Sequence, residues 1–422
     1  MIATYRRDVL LFAGLAALFA GVFLSQGAAY SLRMLVEATC YAIVALGLSL
    51  QWGSAGLFNV GVMGFVAAGA FASLFVSFPV STAFWSSQGP ALLGGVLLKA
   101  AVGALAIYAI SRSGRIGVPK RLVSLLTWVA VAVAYLMVSG ALDPAAGLIE
   151  NEAGFIGGLG LPVFVGWAAA GAVAGAIAWF VGAICLGLRS DYLAIATLGI
   201  AQIIKTFLKN ADWLTRGTLT VSPLPWPIPD PGDVGFVSAR SGYLAMTAIM
   251  LVIIYTLLQR AHRAPWGRMM RAIRDNEDAA ASMGKDVNRR RLEIFVFGSI
   301  LMGIGGAVLI HFNTIFDPSG FLDLNHTFLV WVMVILGGAR NNRGAIFGAL
   351  FVYLVWTMSE PFSLWLFDHV RNIGLAAFGW VAPDDLDSRA LSMRVFVVGL
   401  TIALVLRYAP QGLFPERISR QD

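Results

Sequence analysis

The sequence predicts an all-α fold, a polytopic transmembrane helical bundle of about 10–12 spans that includes broken or re-entrant helices. Hydrophobic residues make up 58% of the 422 residues and charged residues only 13%, whereas a soluble domain carries about 25% charged residues. The mean hydropathy is +0.78. Several apolar stretches reach the roughly 20 residues that cross a bilayer as a helix, without the alternation of an outer-membrane barrel strand. These observations exclude a soluble protein and indicate an integral membrane protein.

Twelve apolar segments are candidate spans. They cover residues 9–25, 33–51, 56–78, 91–111, 122–140, 163–188, 192–209, 243–259, 292–312, 325–339, 344–359 and 394–407. Arg6 and Arg7 precede the first segment as in a signal peptide, but no convincing small-residue cleavage site follows, so we interpret residues 1–32 as a retained N-terminal transmembrane helix. The segments 192–209 and 325–339 are short for a hydrocarbon core of about 30 Å. Each is therefore predicted to be broken or re-entrant.

The basic residues predict the orientation. Lys and Arg concentrate at every second connection, at residues 6–7, 112–121, 260–291 and 340–343 and from 407 onward. By the positive-inside rule these connections and both termini are cytoplasmic. The net charge of +7 then reflects membrane topology, and no nucleic acid is expected as a partner.

The opposite side of the bilayer is predicted to receive the loops 210–242 and 360–393. The first loop carries prolines at every second position from 223 to 231, which favours extended backbone that cannot join a helix. This loop is either an ordered external cap, which we favour, or a plain linker.

Residues for metal, disulfide or catalytic chemistry are few. Cys40 and Cys185 lie inside apolar runs, so neither a disulfide framework nor a metal cluster is expected. His311 and His326 flank an external loop and have no visible partners for a metal. Neither an H-E-x-x-H zinc motif nor a G-x-S-x-G nucleophile elbow occurs. We therefore expect no catalytic site and no metal site.

One polar stretch stands out from its apolar surroundings. RAIRDNEDAAASMGKDVNRRR, residues 271–291, carries ten charged residues among 21. Taken as a helix from about Arg268, its apolar residues are Met269, Met270, Ile273, Ala280 and Met283. Gly284 stands where a helix takes a left-handed C-terminal residue. The pattern predicts a short cytoplasmic amphipathic helix within residues 264–291, which we name the coupling segment.

The arginines of the coupling segment are not placed for helix stability. Arg268, Arg271 and Arg274 crowd the N-terminal end, where the helix dipole disfavours cations. Anionic lipid headgroups are one sufficient reason for these charges, and a partner protein is the other.

The coupling segment resembles a known motif. RDNEDAAASMG is similar to the EAA-type coupling motif of ABC importer permeases, in the form carried by the branched-chain amino acid (Liv-type) family. Three further stretches agree in order and spacing: GLGLPVFVGW at 158–167, LRSDYLAIATLGIAQIIK at 188–205, and HFNTIFDPSGF with VILGGARNNRGAIFGA at 311–321 and 334–349. The resemblance spans about residues 35–415 and is to the LivM-like member of the permease pair, and the first 150 residues match less well.

The resemblance implies a permease domain over residues 33–422, in the bacterial inner (cytoplasmic) membrane. Its implied partners are a second Liv-type permease subunit, two cytoplasmic ATPase subunits, a periplasmic substrate-binding protein and the lipid bilayer. ATP and Mg²⁺ would bind the ATPase subunits, and no cofactor would bind this chain. Consistently, the sequence lacks the P-loop pattern G-x-x-x-x-G-K-[ST]. The implied substrates are branched-chain amino acids or related small polar solutes, and nothing in the sequence distinguishes among them.

The resemblance also implies which residues meet the ATPase. They are Arg274, Asn276, Glu277, Ala279, Ala280 and Gly284 of the motif, with Ile273 and Met283 from the apolar stripe. An amphipathic helix of this kind can dock in a groove on its partner. The sequence departs from the family pattern at Gln202, where a glutamate is common, and at Arg340 and Arg343, where the family is often neutral.

Polar residues and glycines inside the spans are candidates for the translocation pathway. They are Asn59, Gly61, Gly64, Asp191, Tyr192, Thr197, Gln202, Gly337 and Gly338. Each has a structural alternative. The glycines allow close helix packing, the amide and hydroxyl side chains can hydrogen-bond neighbouring helices, and Asp191 is placed to cap the helix that follows it.

Two other classes of protein compete with the importer. An ion-coupled secondary transporter depends on carboxylates within its spans, and here Glu37 and Asp191 lie near span ends while Asp323 precedes a span. A membrane-embedded enzyme needs a catalytic constellation, which the motifs do not supply. The importer is therefore favoured over both.

Overall fold

The computed structural model of the protein describes residues 2–113, 119–378, 383 and 385–415. Within these residues the chain is an all-α bundle, as predicted. Ten helices are long and apolar enough to cross a membrane, and two shorter apolar helices, Val62–Ser77 and Asn325–Gly337, lie among them. The twelve predicted apolar segments therefore all correspond to helices.

The helices are numbered in chain order. They are α1 (Ile2–Gln26), α2 (Ala28–Leu48, continued by a π-helix at Ser49–Ser54), α3 (Val62–Ser77), α4 (Thr82–Ser86), α5 (Gly89–Ser113), α6 (Lys120–Glu152), α7 (Val163–Cys185), α8 (Ser190–Asn210), α9 (Asp212–Thr215), α10 (Pro231–Val234), α11 (Phe236–Arg263), α12 (Pro265–Asp275), α13 (Glu277–Ser282), α14 (Val287–Asn313), α15 (Asp323–Gly337), α16 (Asn342–Phe378) and α17 (Leu386–Tyr408).

The core is formed by α2, α3, α7 and α14, with α15 and α16 packed beside them. Glycines allow these helices to approach closely. A Cβ added to Gly69 would overlap the backbone of Gly303, and one added to Gly306 would overlap the backbone of Val66. Because lipid tails are as apolar as the side chains, such close van der Waals packing is a main source of helix association in a membrane.

The helices α5 and α6 pack on each other at the periphery. Their large apolar side chains are exposed, among them Leu97, Leu105, Trp128 and Leu136. These two helices, which we name the hairpin, therefore present their apolar surface outward, as lipid-facing helices do.

Both described ends of the chain lie at one end of the bundle. Arg7 donates a hydrogen bond to the carbonyl oxygen of Leu413 at 3.0 Å, and Arg343 lies 3.5 Å from the carboxylate of Asp8. The coupling segment lies at the same end of the bundle. We name this the basic end. The sequence prediction that the two termini share one side agrees with this arrangement.

The opposite end carries the Pro-rich loop. Val221 pairs with Phe316 in an isolated bridge, and the ring of Trp226 packs against Tyr243 and Phe312. The loop is thus packed over the ends of α11 and α14, as expected for a cap. It is shorter than the predicted 210–242, because α9 lies within it and α11 already begins at Phe236.

Two span predictions are wrong. The segment 192–209, expected to be broken, lies in a continuous helix, α8. The segment 56–78, expected to be continuous, is helical only from Val62, and residues 56–61 are not helical. The chain therefore breaks between α2 and α3 rather than in α8.

A third difference concerns the predicted loop 360–393. The helix α16 continues through Pro361 to Phe378. Proline is tolerated within transmembrane helices because neighbouring groups satisfy the freed backbone carbonyl. Pro361, at the start of the predicted loop, therefore lies inside a helix.

Candidate functional site

The break between α2 and α3 begins in a π-helix. Residues Ser49–Ser54 form it, and π-helical turns occur often at functional sites. Gly53 is required here, since a Cβ would overlap the carbonyl oxygen of Ala339. The Ser49 hydroxyl donates to that same oxygen at 2.9 Å. The π-helix is thereby fixed against the turn between α15 and α16.

Residues 55–61, which we name the polar turn, leave the helix inside the bundle. Asn59 is fully buried. Its amide nitrogen donates to the Gln51 side chain at 2.8 Å, and its amide oxygen accepts from the Gly61 backbone at 2.8 Å. The Trp331 indole donates to the Asn59 carbonyl at 3.1 Å. The non-helical backbone is thus satisfied by protein, as irregular structure at membrane depth requires.

Gln51 connects the polar turn to the core helix α14. Its side-chain nitrogen donates to the Phe295 carbonyl at 2.8 Å and lies 3.1 Å from the Ser299 hydroxyl. Gln51 and Ser299 are both fully buried. Both the oxygen and the nitrogen of this buried amide are hydrogen-bonded. Such an amide fixes the relative positions of the helices that it joins.

The helix α8 forms the other wall of the polar turn. The Thr197 hydroxyl accepts from the Val60 backbone at 3.1 Å. A Cβ on Gly61 would overlap the backbone of Thr197, and one on Gly64 would overlap Ala201. The structure therefore brings together four predicted pathway residues, those at positions 59, 61, 64 and 197.

Three other pathway candidates lie on the exposed surface of α8. They are Asp191, Tyr192 and Gln202. The predicted cap is not formed, because Arg189 is the N-cap residue and makes no side-chain capping bond. Asp191 instead lies in the first turn of the helix, where the helix dipole favours a carboxylate.

The last two candidates are packing residues at the end of α15, where Gly337 contacts α16 and Gly338 contacts the backbone near Phe414. A Cβ on Gly337 would overlap the carbonyl of Gly344, and Gly338 has a φ of +102° at the helix end. The packing alternative therefore explains both glycines.

The coupling segment forms two short helices where one was predicted. Asn276 has extended backbone (φ −156°) between α12 and α13, and its side chain caps α13 by accepting from the Ala279 backbone at 2.9 Å. Asparagine is among the preferred N-cap residues because its side chain competes with the helix backbone. Gly284 has a φ of +75°, so the predicted left-handed C-terminal residue is confirmed.

The apolar stripe of the coupling segment is divided between inside and outside. Met270 and Ile273 are 1% and 2% exposed, and Ala280 is also buried, whereas Met283 is 79% exposed. Ile273, which was predicted to meet the ATPase, packs within the chain in this structure. Met283 remains available to a partner.

Arg274 links the coupling segment to the broken helix. Its guanidinium donates to the Gly53 carbonyl at 2.8 Å and pairs with Asp275 at 3.0 Å. The Arg274 side chain is only 12% exposed. On the other side, Glu277 pairs with Arg291 of α14 at 2.9 Å. The segment is thereby tied both to the π-helix and to a core helix.

A cavity of about 450 Å³ lies where these parts meet. Trp52 and Gly53 of the π-helix, Arg274 of α12 and Arg340 of the turn between α15 and α16 line it. Sequence reasoning missed Gln51 and Trp331. Polar residues within an apolar segment, here Ser49 and Gln51, were the available signal for Gln51. No group of three or more His, Cys, Asp or Glu side chains among the described residues is placed to hold a metal ion.

The chain was compared with known proteins. It is 24% identical over 233 residues to the probable branched-chain amino acid transport permease protein LivM of Methanocaldococcus jannaschii, which covers 54% of this chain and 61% of the relative. It is 25% identical over 240 residues to the high-affinity branched-chain amino acid transport system permease protein LivM of Escherichia coli, and the match covers 52% of this chain and 51% of the relative. The fructose import permease protein FrcC of Rhizobium meliloti is 24% identical over 277 residues, and the match covers 62% of this chain and 71% of the relative.

The matches to the two LivM relatives span about half to three fifths of those proteins. No solved structure matches the chain. The family described as "Branched-chain amino acid transport system / permease component" matches residues 30–156 and 145–406, which is most of the sequence. The chain is therefore a multi-pass membrane protein that belongs to the family of branched-chain amino acid transport permease components.

Proposed function

We propose that the protein is the permease subunit of an ATP-driven ABC importer in a bacterial inner membrane. It would pair with a second permease of the same family, accept solute from a periplasmic binding protein and be driven by two ATPase subunits. The basic end, with both described ends of the chain, faces the cytoplasm in this proposal, since the positive-inside rule assigns Arg-rich connections to that side. Family membership supports this function over a secondary transporter or an enzyme.

The contact between Arg274 and Gly53 is the observation that carries the proposal. In the coupling segment, Met283 is exposed and the Glu277 side chain is half-exposed. A partner protein can therefore contact both side chains. The same segment holds the π-helix through the guanidinium of Arg274, which is only partly exposed. A partner that moves the segment would therefore also displace the Gly53 carbonyl and the polar turn beside it.

The polar turn is the element that such a displacement would open. The side chains of Gln51, Asn59 and Thr197 are hydrogen-bonded to neighbours within the bundle, so none of them is free to bind solute in this arrangement. We infer that the structure represents a closed state. Transport requires these bonds to exchange for bonds to solute or water, with the energy supplied by the ATPase.

Branched-chain amino acids are the proposed substrates, because the matching family and the LivM relatives carry that name. The similarity to a fructose permease supports a wider group of small polar solutes as the second candidate. Uptake assays with leucine and with fructose, each supplied with a matching binding protein, distinguish the two.

Arg274→Ala in the reconstituted importer tests the coupling. We expect uptake to fall at least tenfold while the ATPase subunits still co-purify. The variant would still bind the ATPase subunits, but it lacks the hydrogen bond from Arg274 to the Gly53 carbonyl of the π-helix. Arg268→Ala is the matched control, an exposed arginine on the same helix, and it should transport normally. Equal uptake by the two variants would contradict the proposed link.

A further inference from the structure

A second, strongly basic cavity lies at the basic end. Its volume is about 270 Å³, and it opens between the end of α11, the helix α12 and the start of α16. Four arginines, Arg263, Arg271, Arg340 and Arg343, line it together with His262. The remaining lining side chains are amides, and no carboxylate is among the described residues that line the cavity. The cavity therefore concentrates positive charge.

The residues around the cavity include a carboxylate, which lies next to Arg343. Arg343 lies 3.5 Å from the Asp8 carboxylate and donates to the Tyr255 hydroxyl at 3.0 Å. His262 shares a hydrogen bond of 2.8 Å with Ser54. The positive-inside rule explains basic residues at this end, but it does not require four of them to converge. Guanidinium groups that lie close together repel one another, and an anion between them reduces this repulsion. Each guanidinium is planar, and its paired N–H groups can donate two hydrogen bonds to the oxygens of one phosphate.

An apolar groove shares one lining residue, Arg343, with this cavity. It has a volume of about 510 Å³ and is lined by Val9, Phe12 and Ala13 of α1, with Asp8 and Arg343 at its end. Arg343 therefore belongs to both spaces. A basic cavity next to an apolar groove on α1, a helix that is only 17% buried over its apolar window, matches a molecule with a phosphate at one end and a hydrocarbon chain at the other. A free phosphate would fill the cavity alone.

We propose that the cavity and the groove together form a binding site for an anionic phospholipid. The phosphate lies among Arg263, Arg271 and Arg340, and one acyl chain follows Val9 and Phe12 of α1. Basic pockets between transmembrane helices bind such headgroups in this way. Because Arg271 lies on α12, three residues before Arg274, the bound headgroup would tie the coupling segment to α11 and α16.

The test uses the purified full-length chain in detergent, titrated separately with phosphatidylglycerol, phosphatidylcholine and inorganic phosphate. Lipid binding is measured by native mass spectrometry and by the shift in thermal unfolding midpoint, since a ligand that binds the folded state stabilises it. We expect Arg263→Gln with Arg271→Gln to weaken phosphatidylglycerol binding at least tenfold. The matched control, Arg112→Gln with Arg407→Gln, removes two exposed charges outside the cavity and should bind as the unchanged chain does.

A second variant tests the groove. Ala13→Trp places a bulky side chain in the groove, so it should weaken phosphatidylglycerol binding and leave any response to inorganic phosphate unchanged. Three results would overturn the proposal: equal phosphatidylglycerol binding by the cavity and control variants, equal protection by inorganic phosphate alone, or equal binding of phosphatidylcholine. The assay contains no ATPase or binding protein, so its outcome is independent of the importer proposal.

Discussion

The span that contains α2 and the hairpin helix α6 are both long enough to cross a membrane, yet they differ in burial. The first, residues Ala28–Ser54, has a mean hydropathy of 1.5 over its most apolar window, and 89% of that window is buried. The corresponding window of α6 has a higher mean hydropathy of 2.2, and none of it is buried. Hydropathy in these two regions thus follows contact with lipid, and the less apolar helix is the one inside.

The reason for this difference is physical. Lipid cannot hydrogen-bond a polar side chain, so Gln51 and Ser49 need partners from neighbouring helices. The hairpin carries hydroxyls that bond their own backbone, as Ser139 does to the Leu136 carbonyl. Polar groups that bond across helices therefore identify the region where the helices are held in one arrangement, and this is also the region that the coupling segment contacts.

The largest contrast is expected for glycine substitutions. Gly53→Ala places a Cβ where the Ala339 carbonyl lies and should destabilise the fold by more than about 3 kcal/mol, since overpacking against backbone cannot relax. Gly94→Ala in the hairpin meets nothing within 4 Å and should be tolerated. Thermal unfolding in detergent measures both. A stable Gly53→Ala variant would show that the π-helix is not held against the turn at residue 339.

Truncating leucines should give the next largest difference. Leu46 is fully buried and Leu136 is 67% exposed. Leu46→Ala leaves a cavity and should cost about 2–4 kcal/mol, whereas Leu136→Ala loses contacts that lipid replaces and should cost less than about 1 kcal/mol. Reversible unfolding in mixed micelles gives these values. If the two costs are equal, the hairpin is packed against something other than lipid.

The smallest contrast concerns hydrogen bonds. Asn59→Ala removes the bonds to Gln51 and Gly61 and leaves both partners buried, at a cost of about 1–3 kcal/mol. Ser139→Ala removes a bond from an exposed hydroxyl to its own helix and should have little effect. The same unfolding assay compares them, and a neutral Asn59→Ala would indicate that water reaches the polar turn.

The sequence predicted much of this architecture because transmembrane spans are defined by local composition. Each of the twelve apolar segments corresponds to a helix, and the coupling segment was located by its charge and by Gly284. The break was misplaced, however, because α8 seemed short once its polar residues were excluded, although Ser190–Asn210 is one helix of 21 residues. Asn59 was identified as a candidate, but the helix break beside it was not.

The remaining errors concern tertiary contacts. Nothing in the local pattern shows that Ile273 faces inward while Met283 faces outward, because the turn at Asn276 rotates α13 relative to α12. Likewise, Gln51 bonds Asn59 nearby in the chain, but it is joined to the core by partners on α14, more than 240 positions away. Such pairings depend on which helices are neighbours, which composition and periodicity do not encode.

Site-specific photo-crosslinking compares the two regions most directly. A photoreactive residue replaces Met283, which is 79% exposed, or Trp128 of the hairpin, which is 73% exposed, in cells that express the chain with a tagged ATPase subunit. We predict that position 283 captures the ATPase and that position 128 does not. Failure to capture it at 283 in cells shown to contain it, or equal capture at both positions, would contradict the assignment of the coupling segment.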